Sequence, residues 1–145
     1  MTWINFNTVQ SDLVNLLTTE VTAAKLVKKE CDERDYAFHN MPLIDVRLKE
    51  SQPEVRAGRD YYVFVTFEVQ VTANDLSGYD EAATLRDSVL SDAMDAVRNN
   101  ASFSASLETS TVSLTEFSNA KDDDTGAFMA AATFQVIAEA FIDRS

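Results

Sequence analysis

The chain has 145 residues, 46% of them hydrophobic and 10% aromatic, enough for one packed domain spanning 1–145 and too much for a disordered acidic tail. Twenty-four acidic residues against twelve basic ones give a formal charge of −12, and a surface of that sign repels nucleic-acid backbones and anionic membranes, so neither is an expected binding partner. Three glycines and two prolines argue against a glycine-rich phosphate loop and long flexible linkers, and the single cysteine forbids an intrachain disulfide and fits a reducing cytoplasm.

The opening MTWINFNTVQSD has neither a basic nor an apolar leader region, so no signal peptide is expected, and no run of about 18 apolar residues is present to span a membrane. The first element is a helix over 7–19, with Val9, Leu13, Leu16 and Leu17 on one face, Thr8 or Asn7 as N-cap, and Asp12 in the early turns, where the helix dipole favours a negative charge. The following VTAAKLVKKECDERDY either extends this helix or carries a short strand around 23–30 before a charged loop; its β-branched residues favour a break. MPLIDVRLKES at 41–51 alternates Leu43, Asp45, Arg47 and Lys49 against Ile44, Val46 and Leu48, a strand with one wet face and Pro42 at its start. The charged QPEVRAGR (52–59) then reads as a hairpin loop, so this strand and the next should pair antiparallel.

DYYVFVTFEVQVTAN, at 60–74, is apolar at every second position from Tyr61 to Ala73, a clear period-two signal. Its length is unusual. Fourteen or fifteen extended residues span ~45–50 Å, whereas a compact domain of this size has a diameter of only ~38 Å. NDLSGYD ends the strand, and a helix over 79–100 follows, with Ala82, Leu85, Val89, Ala93, Ala96 and Val97 inward and Arg86, Asp87, Ser91, Asp92, Asp95 and Arg98 outward. A strand is predicted at about 107–118, with Val112, Leu114 and Glu116 on one side and Ser113, Thr115 and Phe117 on the other. After the loop KDDDTG, residues 127–143 hold an unbroken period of two, with polar residues confined to the odd positions, and predict a second very long strand. These elements give an α+β domain: a mainly antiparallel sheet of about four strands, two of them very long and natural partners, with two helices packed on one face.

No constellation for catalysis stands out. His39 is the only histidine and lies in a charged stretch with Cys31, where the plain reading is a solvated loop histidine beside Pro42 and a part-buried thiol at the end of an element. Asp122, Asp123 and Asp124 lack the glycine and distal glutamate of a calcium loop, and an exposed turn explains them. No cofactor or metal is expected. Trp3, Ile4 and Phe6 read either as a hydrophobic staple on the first helix or as a hook for a partner.

The order of elements is similar to that of a known family. An amphipathic helix, the strand PLIDVRLKES, a charged loop, the long strand RDYYVFVTFEVQVTA, a helix opening YDEAATLRDSVLSDAMDAV, a Ser/Thr-rich strand and a last long strand ending in an acid resemble the tail terminator proteins of long-tailed bacteriophages, the lambda gpU-like phage tail proteins. The resemblance spans nearly the whole chain and rests on pattern and order, not on a diagnostic motif. It implies a structural virion protein at the tail–neck region, assembled in the host cytoplasm: a homo-oligomer forming a hexameric ring that caps the tail tube protein, stops tube polymerisation and meets a head–tail connector or stopper protein. It implies no catalysis, and DNA passing the lumen would meet an acidic wall that does not hold it.

Physical reasoning places subunit or partner contacts at the 52–59 loop and the adjoining strand ends. Arg56 and Arg59 are candidates for ion pairs with an acidic neighbour, and Tyr62 and Phe64 make one end of the wet face apolar, where a helix or another subunit should cover it. Another neck, head-closure or minor tail protein is the alternative reading, and a small α+β ligand-binding module or enzyme a further one.

Overall fold

The computed structural model describes residues 5–53, 61–122 and 125–142, with side chains throughout except at 51–53, 61, 62, 141 and 142. The element order is α1 (Phe6–Glu20), β1 (Leu26–Lys29), two short 3₁₀ turns (Glu33–Tyr36 and Phe38–Asn40), β2 (Leu43–Pro53), β3 (Tyr61–Asp75), α2 (Tyr79–Asn99), β4 (Thr109–Lys121) and β5 (Phe128–Ile142). The strands form one mixed sheet in the order β1-β2-β3-β5-β4.

The α+β class, the two helices and the two long strands are as the sequence predicts. β3 and β5 are 15 residues each and pair antiparallel from Tyr61↔Ile142 to Asp75↔Phe128. Their inward residues, Val63, Val65, Phe67, Val69 and Val71 facing Ala132, Phe134, Val136, Ala138 and Ala140, are sealed from solvent. α2 lies across these two strands, and α1 lies over β1 and β2. The alanines of α2 and β5 allow close approach: Ala93, Ala132 and Ala138 sit in the same core as Phe67 and Phe134.

The sheet has five strands instead of four, and the ambiguous 20–40 segment resolves as a break after α1 followed by β1, which runs parallel to β2 from Leu26↔Leu43 to Lys29↔Val46. β1 stops at Glu30, which adopts a left-handed φ of 51°. Such a conformation costs a non-glycine residue of order 1–3 kcal/mol. Hydrogen bonds offset that cost: Glu30 N–H donates to Val46 O, and its carboxylate accepts from Leu48 N–H and from the buried Gln10 amide.

Several sequence expectations are corrected. The N-cap of α1 is Asn5, whose Oδ1 accepts from Thr8 N at 3.1 Å, not Thr8 or Asn7. Starting the helix earlier brings Phe6 against the core with Val9, Leu13 and Leu17. Arg86 faces in: its neighbours on the α2 stripe are Ala82, Val89, Leu90 and Ala93, and only its polarity argued for the solvent side. In β4 the register shifts between Leu114 and Glu116, so Leu114 opposes Phe134 and Phe117 opposes Ala132. The bulge at Thr115 thereby puts Val112, Leu114 and Phe117 on the helix-bearing face and Glu116 on the other, reversing the sides read for the last two. Asp45, assigned to a wet face, is 1% exposed because the segment after β1 folds across that face.

Candidate assembly surface

The sheet face away from the helices is partly roofed by the 3₁₀ turn Glu33–Tyr36, and Asp45 is the pin. Its carboxylate accepts from Cys31 N–H at 2.9 Å, Tyr36 O–H at 3.0 Å and Arg47 Nε at 2.8 Å, while Arg47 Nη2 donates to Cys31 O at 2.5 Å. The turn has a reciprocal capping box between Asp32 and Asp35, and Lys28 reaches Asp35 at 2.9 Å. Burial and then the negative Asp45 push the Cys31 thiol up to about 12, and the same two causes raise the Tyr36 phenol. A thiol held protonated in this way is a poor nucleophile. A cavity of about 170 Å³ lies between Tyr36, Gln70, Asn119 and Met129.

The second polar cluster lies between α2 and β4. The Arg86 guanidinium sits 4.9 Å over the Phe117 ring and 2.9 Å from the Asp87 carboxylate. Burial works against the Arg86 charge, but hydrogen bonds to Asp87 and Tyr79 outweigh it and raise its pKa. Hydrogen bonds to Asn119 and then Arg86 hold the Tyr79 phenol below its ordinary value. Arg86 thus ties the start of α2 to β4.

β4 is the last strand of the sheet, 13 residues long, and almost all of it is exposed. Leu114 and Phe117 are 42% and 53% exposed on its helix-bearing side. At the opposite border β1 covers only Leu43 to Val46 of β2, and beyond Val46 no strand pairs with that side of β2 among the described residues, where the Glu30 carboxylate takes the Leu48 N–H. A long, uncovered edge carrying apolar side chains is a template for pairing with another chain. An open, broad cleft of about 780 Å³ lies between α1 and the end of α2, lined by Asp12, Glu20, Arg98 and Phe103 among others.

Of the interface residues expected from sequence, Arg56 and Arg59 lie outside the described residues. Tyr62, in β3, pairs with Phe141 of β5, and its side chain lies outside the described residues. Phe64 is half-buried, opposite Gln52 and Glu139, on the face away from both helices, so neither helix covers it. His39 is exposed in the second 3₁₀ turn and Cys31 is buried. Asp123 and Asp124 lie outside the described residues, and Asp122 closes the β4–β5 loop, its N–H donating to Ala127 O and its carbonyl accepting from Gly126, which has the positive φ of 74° that such a turn needs. Among the described residues no group of three or more His, Cys, Asp or Glu side chains could hold a metal, and no helix is long and apolar enough to cross a membrane.

The fold is a mixed five-stranded sheet with two helices on one face. No family model matches the chain, and no curated protein matches it either. Among solved structures, a chain from the virion of a native gene transfer agent particle is similar over 95% of this chain and 99% of its own, at 11% identity and a TM-score of 0.48. The type 4 fimbrial biogenesis protein PilO from Pseudomonas aeruginosa is similar over 97% of this chain and 73% of its own, at 11% identity and a TM-score of 0.29. Likenesses this distant carry no functional conclusion.

Proposed function

We propose that the chain is a structural virion protein of a tailed phage or phage-like particle, and within that class a tail terminator: a ring that caps the tail tube, stops its polymerisation and meets the head-side connector. The observation that carries the reading is the pair of open sheet borders, β4 on one side and β2 beyond Val46 on the other. Unlike edges at opposite ends of a sheet suit head-to-tail contact, which closes into a ring when the rotation permits. The strand directions support it. β3 and β4 run opposite to β2 and β5, so β4 of one copy meets β2 of the next antiparallel, the favoured pairing. The excess of acid also suits a channel wall past which DNA must slide.

The test is electron microscopy of tubes polymerised from the tube protein of the same particle, with and without this chain. Rings seated at one end and tubes of limited length are expected. Decoration along the tube sides, or tubes of unchanged length, would count against termination and favour another neck or minor tail station.

A further inference from the structure

The β2 border carries a side chain that bears on how the head-to-tail ring just proposed would close, and the inference rests on that ring. We propose that Glu30 is a latch on this border: its carboxylate holds the place of a neighbouring strand in the free chain, and β4 of the next copy displaces it when the ring closes. β1 ends at Lys29, and the next two outward main-chain groups of β2 are taken from within the chain. Val46 O accepts from Glu30 N–H at 3.0 Å and from the Gln10 amide at 2.9 Å, and Leu48 N–H donates to the Glu30 carboxylate at 3.0 Å. The same carboxylate accepts from Gln10 Nε2 at 2.9 Å, so α1 steadies it from the helix layer.

The backbone alone does not call for glutamate here. With φ at 51°, position 30 makes a turn that glycine would make without strain and asparagine with little. What glutamate adds is reach: its carboxylate lies along β2 as far as Leu48, where the carbonyl of a paired strand would sit. Charged side chains on a sheet edge keep such edges from pairing at random. Glu30 and Leu48 are both exposed, so a neighbour reaches the pair without opening the core. On displacement the carboxylate returns to water and a main-chain carbonyl takes the Leu48 N–H. A charge-assisted hydrogen bond is thereby exchanged for a neutral one, which holds dilute copies apart. Copies aligned on a tube end meet at high effective concentration and overcome that cost.

The experiment is a dilution series of the full chain by mass photometry, native beside Glu30→Gly and Glu30→Asn, with amide hydrogen exchange at Leu48 read on the same samples. Both replacements suit the left-handed turn; glycine has no side chain and asparagine is one methylene shorter. The expected result is rings of native size that persist to about tenfold greater dilution in both variants, the weight of one charge-assisted hydrogen bond that no longer has to be broken. Glu30→Gln keeps an acceptor oxygen at the same reach without the charge, and should fall between the native chain and Glu30→Gly. The Leu48 amide should exchange slowly in the dilute native chain, fast in dilute Glu30→Gly, and slowly in the rings of both.

Native rings beside variant rings that dissociate at the same or a higher concentration would make Glu30 a brace of the fold, overturning the latch while leaving the ring intact. Fast exchange of the Leu48 amide in the dilute native chain would overturn the latch in the same way. Native and variant chains that never assemble would overturn the ring and the latch together.

Discussion

Replacing Asp45 with alanine removes the acceptor that holds the 3₁₀ turn to the sheet. Three donors converge on that carboxylate, at 2.8 to 3.0 Å, and Asp45 itself is 1% exposed. The Cys31 N–H is buried and donates to this carboxylate, and leaving such a donor unsatisfied costs about 1–3 kcal/mol. Arg47 has a side chain 46% exposed and can turn to water, so its ion pair is discounted to at most about 1 kcal/mol. Tyr36 loses one bond but stays 3.1 Å from Gln70, adding roughly 0.5–1 kcal/mol. The sum is about 3 kcal/mol, a fall in Tm of roughly 6–12 °C for a chain of this length. Urea unfolding followed by circular dichroism measures it, and an unchanged slope shows that the loss lies in stability. Asp45→Asn keeps one acceptor oxygen and should lose about half as much. A loss below about 1 kcal/mol for Asp45→Ala would refute the role of Asp45 as the pin.

Further outcomes follow from the same structure. Phe67→Ala, in the centre of β3 with no solvent exposure, should cost about 3–5 kcal/mol in the same urea assay, since the cavity lies beneath α2, whose helix cannot collapse into it freely. Arg86→Ala should lose about 2 kcal/mol through the stacked Phe117 ring and the Asp87 pair, and Arg86→Lys should recover only part of it because an ammonium lacks the planar face. The Cys31 thiol, raised from an ordinary 9.0 to about 12, should react with a thiol reagent at pH 8 only as fast as the chain opens, which a labelling time course in native buffer and in urea would show. Because that folded value is raised, its contribution is fully present below about pH 9 and is lost as pH rises towards about 12. A urea series across pH 8–11 should therefore decline more steeply for the native chain than for Cys31→Ala.

Periodicity exposed the parts of the fold that it physically controls. β3 and β5 each keep one face sealed along 15 residues, so alternation has to persist and their partnership is readable. It failed where a third layer or a local irregularity intervened. Arg86 carries a charge on a core stripe because Phe117 and Asp87 receive it, and nothing in the helix sequence announces those partners, although its spacing from Ala82 and Val89 does place it on that face. The bulge at Thr115 reverses the side of Phe117 without a glycine or proline to mark it. Asp45 is buried by a turn formed ten residues upstream, a long-range event that an alternating strand pattern cannot encode. Gln10 likewise looks like a surface residue of an amphipathic helix, yet its amide donates to Glu30 and to Val46 O. The exposed strip of Leu114 and Phe117 was visible as residues but not as a surface, because its meaning depends on β4 being the last strand in the sheet.

In the proposed ring, unlike sheet edges of successive copies meet head to tail. Mass photometry of the purified 16.1 kDa chain, with Leu114→Asp beside it, tests this most directly. The expected result is a discrete closed ring, six copies on the proposed terminator reading, that falls to monomers when Leu114 carries a charge. A native chain that stays monomeric at every concentration, or a ring indifferent to Leu114→Asp, would contradict it.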